Sequence, residues 1–248
     1  MNPRRWIFIS PHLDDAILSC GGFIHYLRSL GNIVEIWTIC AGDPPEGDLS
    51  PFALKQQNDF VSAVDYCERR RKEDIDASNY LGARYRHFAF QDCIYRRSIN
   101  GQWLYASEES IFGEIRSDDE EMINDIAVFL DAIIKPEDTV VSPIGIGNHV
   151  DHQLTRSALE RLNILLSYYA DFPYVLRDNE EILKLEKFTT EENFKLSPED
   201  INKWMESIEF YSSQIKNVFD SLENMRDSIG KFTQIQDNFV IFHHFPIS

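Results

Sequence analysis

The sequence predicts an α/β fold: a mainly parallel, doubly wound sheet with helices on both faces. Three observations predict it. Short apolar runs alternate with stretches of helical periodicity, strand then helix, over most of the chain. The strand-like runs pass directly into polar loops, the pattern of parallel strands buried on both faces. The two densest His/Asp clusters, His12–Asp15 and His149–His152, each follow one of those runs. Both therefore fall at the carboxyl edge of one sheet, where such folds bind their ligands.

In chain order, Arg5–Pro11 is a short buried strand carrying Trp6, Ile7, Phe8 and Ile9. Ala16–Leu30 has helical apolar spacing and stops at Gly31. Asn32–Ala41 is a second strand, ended by Gly42-Asp43-Pro44-Pro45, and a Pro-, Gly- and Asp-rich loop follows to Phe52. Residues 53–81 form one or two helices, Tyr85–Phe90 a third strand, and 93–110 are irregular. Residues 118–134 are helical, and the run Asp118-Asp119-Glu120-Glu121 suits a solvated, capped helix start. Thr139–Ser142 is a fourth strand, Pro143–Asn148 a glycine-rich loop and 150–168 a helix. Beyond these, Lys184–Lys195 suits a strand pair, Asp200–Phe219 a helix and Asn238–Phe245 a last strand. No linker interrupts the chain. Residues 1–248 are expected to form one domain, with 180–248 as a less regular C-terminal extension.

Composition narrows the function. The chain has 248 residues, 43% hydrophobic and 26% charged, ordinary for a soluble globular protein. Its 24 basic and 41 acidic residues leave a net charge of −17, which argues against nucleic acid or an anionic membrane surface as partner. Cys20, Cys40, Cys67 and Cys93 form no CxxC pair and sit mostly in apolar segments, as reduced thiols of a cytoplasmic protein do. The apolar run Trp6–Ile9 is too short for a signal peptide, and no stretch approaches a membrane span. Oligomeric state is not readable.

Chemistry concentrates in Pro11-His12-Leu13-Asp14-Asp15 and Asn148-His149-Val150-Asp151-His152. Where a chain turns helical, residues three apart share a face. His12 can then converge with Asp15, and His149 with His152. One His and one Asp from the first cluster plus one His from the second supply three N/O ligands, which with a water describe a catalytic zinc site. Asp14 lies off the ligand face and is free to accept a proton from water. His149 is the spare imidazole, with Asp151 placed to hold it in a charged, donating form. Each cluster alone has a structural explanation, an acidic helix cap or a surface patch. Their matching position on one sheet edge favours a site.

The run His12-Leu13-Asp14-Asp15-Ala16-Ile17-Leu18-Ser19-Cys20-Gly21-Gly22 resembles the HPDDExLxxGG signature of the PIG-L/LmbE-like N-deacetylases. His149-Val150-Asp151-His152 resembles that family's HxDH motif, Arg70–Glu73 its RxxE helix, Asp171–Tyr174 its D-x-P-Y element and Tyr211–Gln214 its late Y-x-SQ helix. The resemblance implies a Rossmann-like three-layer sandwich and one zinc ion on His12, Asp15 and His152, a site open also to other divalent metals. It implies Asp14 as general base, His149 oriented by Asp151, and Arg70 and Asp92 contacting substrate. Leu13 and Ala16 replace the family's Pro and Glu; neither position is a ligand.

The function expected is hydrolysis of an N-acyl group from a small amino-sugar or glycoside-like substrate. The loops 43–52 and 93–117 should wall the pocket, with Tyr95, Arg96, Arg97, Trp103 and Tyr105 facing the sugar. The competing readings are a metal-dependent hydrolase of another bond, such as a phosphoester, and a degenerate binding module. Gly21 and Gly22 suit close helix packing, and His25 and His87 suit the surface.

Overall fold

The computed structural model describes residues 3–57, 60–177, 190–236 and 239–243. In order they form β1 (Arg5–Ser10), α1 (Asp15–Ser29), β2 (Ile33–Thr38), α2 (Pro51–Gln56), α3 (Ala63–Tyr80) and β3 (Arg84–His87). Then come α4 (Glu108–Ile111), α5 (Glu120–Asp131), β4 (Thr139–Pro143), α6 (Val150–Leu159) and β5 (Leu166–Tyr169). The last elements are β6 (Thr190–Phe194), α7 (Pro198–Ile208), α8 (Ser212–Phe219), α9 (Leu222–Gln236) and β7 (Phe239–His243). Among the described residues, no helix is long and apolar enough to cross a membrane.

One seven-stranded sheet has the order β3-β2-β1-β4-β5-β7-β6. The expected mainly parallel sheet is observed: β1 to β5 are parallel, and β7 runs antiparallel to both β5 and β6. The chain steps outward from β1 to β3, then returns to pair β4 with β1, Trp6 opposite Thr139 and Phe8 opposite Val141. That reversal puts the carboxyl ends of β1 and β4 side by side, the switch point where α/β sheets bind ligands. Ile7, Phe8 and Ile9 are fully buried, as a central strand covered on both faces requires.

The C-terminal part closes over the first helix. A Cβ at Gly21 would stand 2.5 Å from Trp204 Cδ1, and one at Gly22 would stand 2.9 Å from Leu196 Cδ1. The two glycines thus let α7 approach α1, as expected, and Trp204 Nε1 donates to the carbonyls of Ile17 and Leu18 at 2.9 and 3.0 Å. One apolar core contains Ile7, Phe23 and Val141 together with Trp204, Met225 and Phe239.

Several expectations give way. The helix expected over 150–168 stops at Leu159, and Leu166–Tyr169 is β5, buried between β4 and β7. A short apolar run covered on both faces lacks the alternation that distinguishes strand from helix. Asp200–Phe219 splits into α7 and α8, where Tyr211 turns its hydroxyl inward onto Asp74 Oδ1 at 2.7 Å. The tail holds a further long helix, α9. Within Lys184–Lys195 the described part is the single strand β6, which pairs with β7, and 184–189 lie outside the described residues. Residues 238, 244 and 245 of the expected last strand also lie outside them. Trp6, Trp37 and Phe88 are core residues, while Phe90 is half-buried at its edge. His25 and His87 are partly buried, each 2.7 Å from a carboxylate, Asp200 and Asp74 respectively.

Candidate active site

The first cluster is shaped by the turn from β1 into α1. Ser10 Oγ donates to the His12 carbonyl at 2.6 Å and accepts from Ala16 N at 3.0 Å. This folds the turn back on the helix start. Asp14 occupies the N-cap of α1 but its side chain makes no capping bond, so the helix-cap explanation fails for it. Its Oδ1 instead accepts from Arg70 at 3.3 Å. Asp15 Oδ2 accepts from His12 N at 2.8 Å and lies 3.1 Å from His12 Nδ1.

The second cluster follows β4. Gly145 and Gly147 have φ of 88°, a conformation that glycine adopts without steric cost. At Gly147 a Cβ would also stand 2.8 Å from the Tyr174 ring. His149 caps α6, its ring nitrogen Nδ1 accepting from Asp151 N at 3.3 Å. His152 turns Nε2 toward Asp15 Oδ2, 3.2 Å away, and binds Asp171 Oδ1 through Nδ1 at 2.6 Å. The other Asp171 oxygen accepts from Gly145 N and Ile146 N at 2.7 and 2.9 Å, so one carboxylate holds both the loop and the imidazole.

A cavity of about 360 Å³ opens here. His12, Asp14, Asp15, Arg70, Asp92 and His149 line it. His152 and Asp151 lie behind that surface, 1% and 0% exposed. Asp92 Oδ2 is 3.8 Å from His12 Nε2. Of the loop residues expected to face a sugar, none lines the cavity. Tyr95 and Tyr105 are buried and bonded to Gln57 and Asp119, at 2.6 and 2.7 Å. Arg96 is buried against Asp151, and Arg97 stacks on Trp103 with 3.7 Å from guanidinium to ring. Asp119, read as a solvated helix start, is likewise buried. The walls are Tyr66, Ile94, Ile111, Phe112, Tyr174 and Gln214. Loop 93–117 still contributes through Ile94, Ile111 and Phe112, whereas loop 43–52 does not reach the cavity.

One role differs from the sequence reading. Asp151 does not hold the His149 ring. Its carboxylate faces His12 Nε2 at 2.9 Å, Cys93 N at 2.9 Å and Arg96 at 2.5 Å. His149 therefore accepts at Nδ1 and carries its proton on Nε2. Burial, then the neighbouring His12, holds its pKa well below the ordinary value, so it is a neutral donor and not a charged one. Burial pushes Asp14 up to about 6, with Arg70 pulling the other way. Burial alone would lower His152, but Asp15 and Asp171 outweigh it and raise it to about 10. Burial alone would raise Asp15, but His152 and His12 hold it well below the usual carboxylate range.

The residues present fit a divalent cation. His152 Nε2 is buried and has no hydrogen-bond partner. With Nδ1 fixed on a carboxylate, it has the arrangement of a metal-ligating imidazole. Ring nitrogens of His12, His149 and His152 lie within 4.8 Å of one another. The donor sets that meet this spacing among the described residues, which also include Cys93–His149–Asp151 and His12–Asp92–Asp151, do not contain Asp15. Asp15 nevertheless lies between two rings, 3.1 Å from His12 Nδ1 and 3.2 Å from His152 Nε2.

Asp171, Arg96, Tyr66 and Gln214 were not assigned a site role that the structure matches. Asp171 and Gln214 stood within short sequence elements, and no spacing rule tied them to the two clusters.

The family described as PIG-L: GlcNAc-PI de-N-acetylase matches residues 7–163. The chain is 32% identical over 196 residues to a 2′-N-acetylparomamine deacetylase of Niallia circulans, covering 71% of this chain and 70% of that one. It is 28% identical over 183 residues to a 2′-N-acetylparomamine deacetylase of Streptomyces fradiae, covering 68% of this chain and 57% of that one. Among solved structures, the zinc-inhibited form of teicoplanin deacetylase Orf2 superposes with a TM-score of 0.80 at 27% identity, over 96% and 97% of the two chains.

Proposed function

The chain belongs to the PIG-L family of de-N-acetylases, and from that premise we propose that it hydrolyses the N-acetyl group of an amino sugar. In this reading one divalent ion, zinc, is held by His12, Asp15 and His152. The observation that carries it is the buried His152 Nε2, which makes no hydrogen bond and stands 3.2 Å from Asp15 Oδ2. Such an ion supplies a water that ionises at about pH 7 and a Lewis acid for the acyl oxygen.

The remaining work falls to side chains. Asp14, uncommitted as a cap, takes the proton of the attacking water and passes it to the departing amine. Burial keeps it basic enough for that, at about 6. His149 donates from Nε2 to the acyl oxygen as negative charge develops there. Arg70 and Asp92, both lining the cavity, bind the substrate.

The walls favour a sugar that carries a further ammonium group, as paromamine derivatives do. Among the described residues Arg70 is the one Arg or Lys lining the cavity, and it is paired with Asp14; Asp92 and Glu108 add carboxylates. Such a lining disfavours a phosphoester. Four buried free thiols suit a reducing, cytoplasmic setting, and we read residues 1–248 as one domain.

Acetate release from N-acetylated aminoglycosides, measured with metal content on one preparation, tests the reading. The wild type should deacetylate them with about one zinc bound, and His152→Ala should lose both. Full zinc in His152→Ala would overturn the ligand assignment. Equal efficiency on simple acetylated amines would overturn the substrate assignment.

A further inference from the structure

We propose that Arg96 is a positioning residue of the active site, acting through Asp151 to present the ligand nitrogen of His12. The inference rests on the metal reading above, and adds a residue from an element that carries none of the motifs.

Asp151 is fully buried, and its carboxylate partners are specific. Oδ1 receives Arg96 at 2.5 Å; Oδ2 receives Cys93 N at 2.9 Å and faces His12 Nε2 at 2.9 Å. A carboxylate already accepting from an amide and a guanidinium is an acceptor toward its third partner as well. His12 therefore carries hydrogen on Nε2, which leaves Nδ1, 3.1 Å from Asp15 Oδ2 and on the side of His152, as the nitrogen a cation would take. Second partners of this kind commonly set the tautomer and orientation of metal-ligating imidazoles.

Arg96 is what makes Asp151 a stable acceptor. A carboxylate in this interior without a cation is an uncompensated buried charge. Arg96 is itself 4% exposed and held on its other edges. Its Nε stands 3.4 Å from Asp119 Oδ1, its guanidinium lies 5.1 Å from the Tyr105 ring, and a further N–H meets Met122 Sδ at 3.4 Å. Asp119 in turn accepts from Tyr105 at 2.7 Å, and the Tyr105 oxygen accepts from Arg116 N at 2.8 Å. The chain Tyr105–Asp119–Arg96–Asp151–His12 runs from the loop after β3 to the ligand set. Removing the guanidinium leaves Asp151 without its charge partner, and movement of the carboxylate away from His12 relieves that.

The test uses the full-length protein. Arg96→Met keeps the volume and removes the charge. Zinc affinity is measured by competition with a chromogenic chelator, alongside the visible spectrum of the cobalt-loaded protein and the Tm. The expected result is a loss of zinc affinity of roughly 10–100-fold with an altered cobalt spectrum. Asp151→Asn should weaken zinc too, and the two penalties should not add, because both act through one bond. A purely structural Arg96 would lower Tm and leave zinc affinity and spectrum as in the wild type, which would overturn the proposal, as would additive penalties. Should Arg96→Met not fold, Arg96→Gln and Asp119→Asn carry the test, and wild-type zinc affinity in both has the same force. A wild type that takes up neither zinc nor cobalt would overturn the metal reading, and this inference with it, before any variant is made.

Discussion

The loops after β1 and β4 and the long loop after β3 border the same cavity, yet they place their polar side chains differently. The first two are short and run directly into helices, so each polar residue has a direction set by helical spacing; His12, Asp14, Asp15 and His149 all reach the cavity. The loop after β3 is long and irregular. It turns Arg96, Tyr95 and Tyr105 into the protein and presents Ile94, Ile111 and Phe112 to the cavity. In the short loops a polar residue marks the chemistry. In the long loop Arg96, Tyr95 and Tyr105 build the scaffold, while Asp92, Glu108 and the apolar residues line the cavity.

The strongest way to break this contrast is Asp14→Asn. The variant should retain zinc while kcat falls roughly 10²–10⁴-fold, the usual worth of a positioned general base, with KM little changed. Simultaneous loss of zinc and activity would make Asp14 a ligand and erase the division of labour within the first loop. Next comes Asp171→Asn, which removes the negative charge and one of the two acceptor oxygens that His152 and the loop amides now share. Zinc affinity should drop roughly 10–100-fold, and unchanged affinity would mean that His152 needs no orienting carboxylate. The long loop offers a paired test. Phe112→Ala should raise KM by roughly tenfold, the scale of a lost apolar pocket contact. Arg97→Ala should leave kcat/KM as it is, because its guanidinium is spent on Trp103. The reverse outcome, measured on one substrate, would restore Arg97 to substrate binding.

The smallest effect serves as a control remote from both regions. Burial alone would raise Asp200, but hydrogen bonds from Ser197 and His25 lower its pKa. A carboxylate lowered on folding stabilises above its unfolded pKa of about 3.9 and loses that contribution as pH falls through the folded value. Asp200→Asn should therefore flatten the decline of Tm below about pH 4 without changing zinc affinity. A parallel decline in variant and wild type would remove Asp200 from the acid response.

Legibility followed the same divide. The parallel sheet and the convergence of His12, Asp15, His149 and His152 could be read because strand runs and three-residue spacing are local signals. β5 escaped because a four-residue strand buried on both sides has no period to read. The inward turn of Arg96 escaped because it depends on Asp151, 55 positions away in sequence. The donor state of His149 escaped because it depends on which atom of Asp151, carboxylate or amide, faces the ring.

The packing of Trp204 against Gly21 and Gly22 bears on synthesis. The family match ends at residue 163, but the glycine face of α1 is covered by Leu196 and α7, more than 30 residues later in the chain. A nascent chain that has already made His12, Asp14, Asp15, His149 and His152 still presents that slot to solvent. Productive folding of the N-terminal half must wait for a helix that holds none of the His12–Asp15 and His149–His152 residues. A fragment ending at 163 should accordingly aggregate or recruit chaperones, although it holds both clusters.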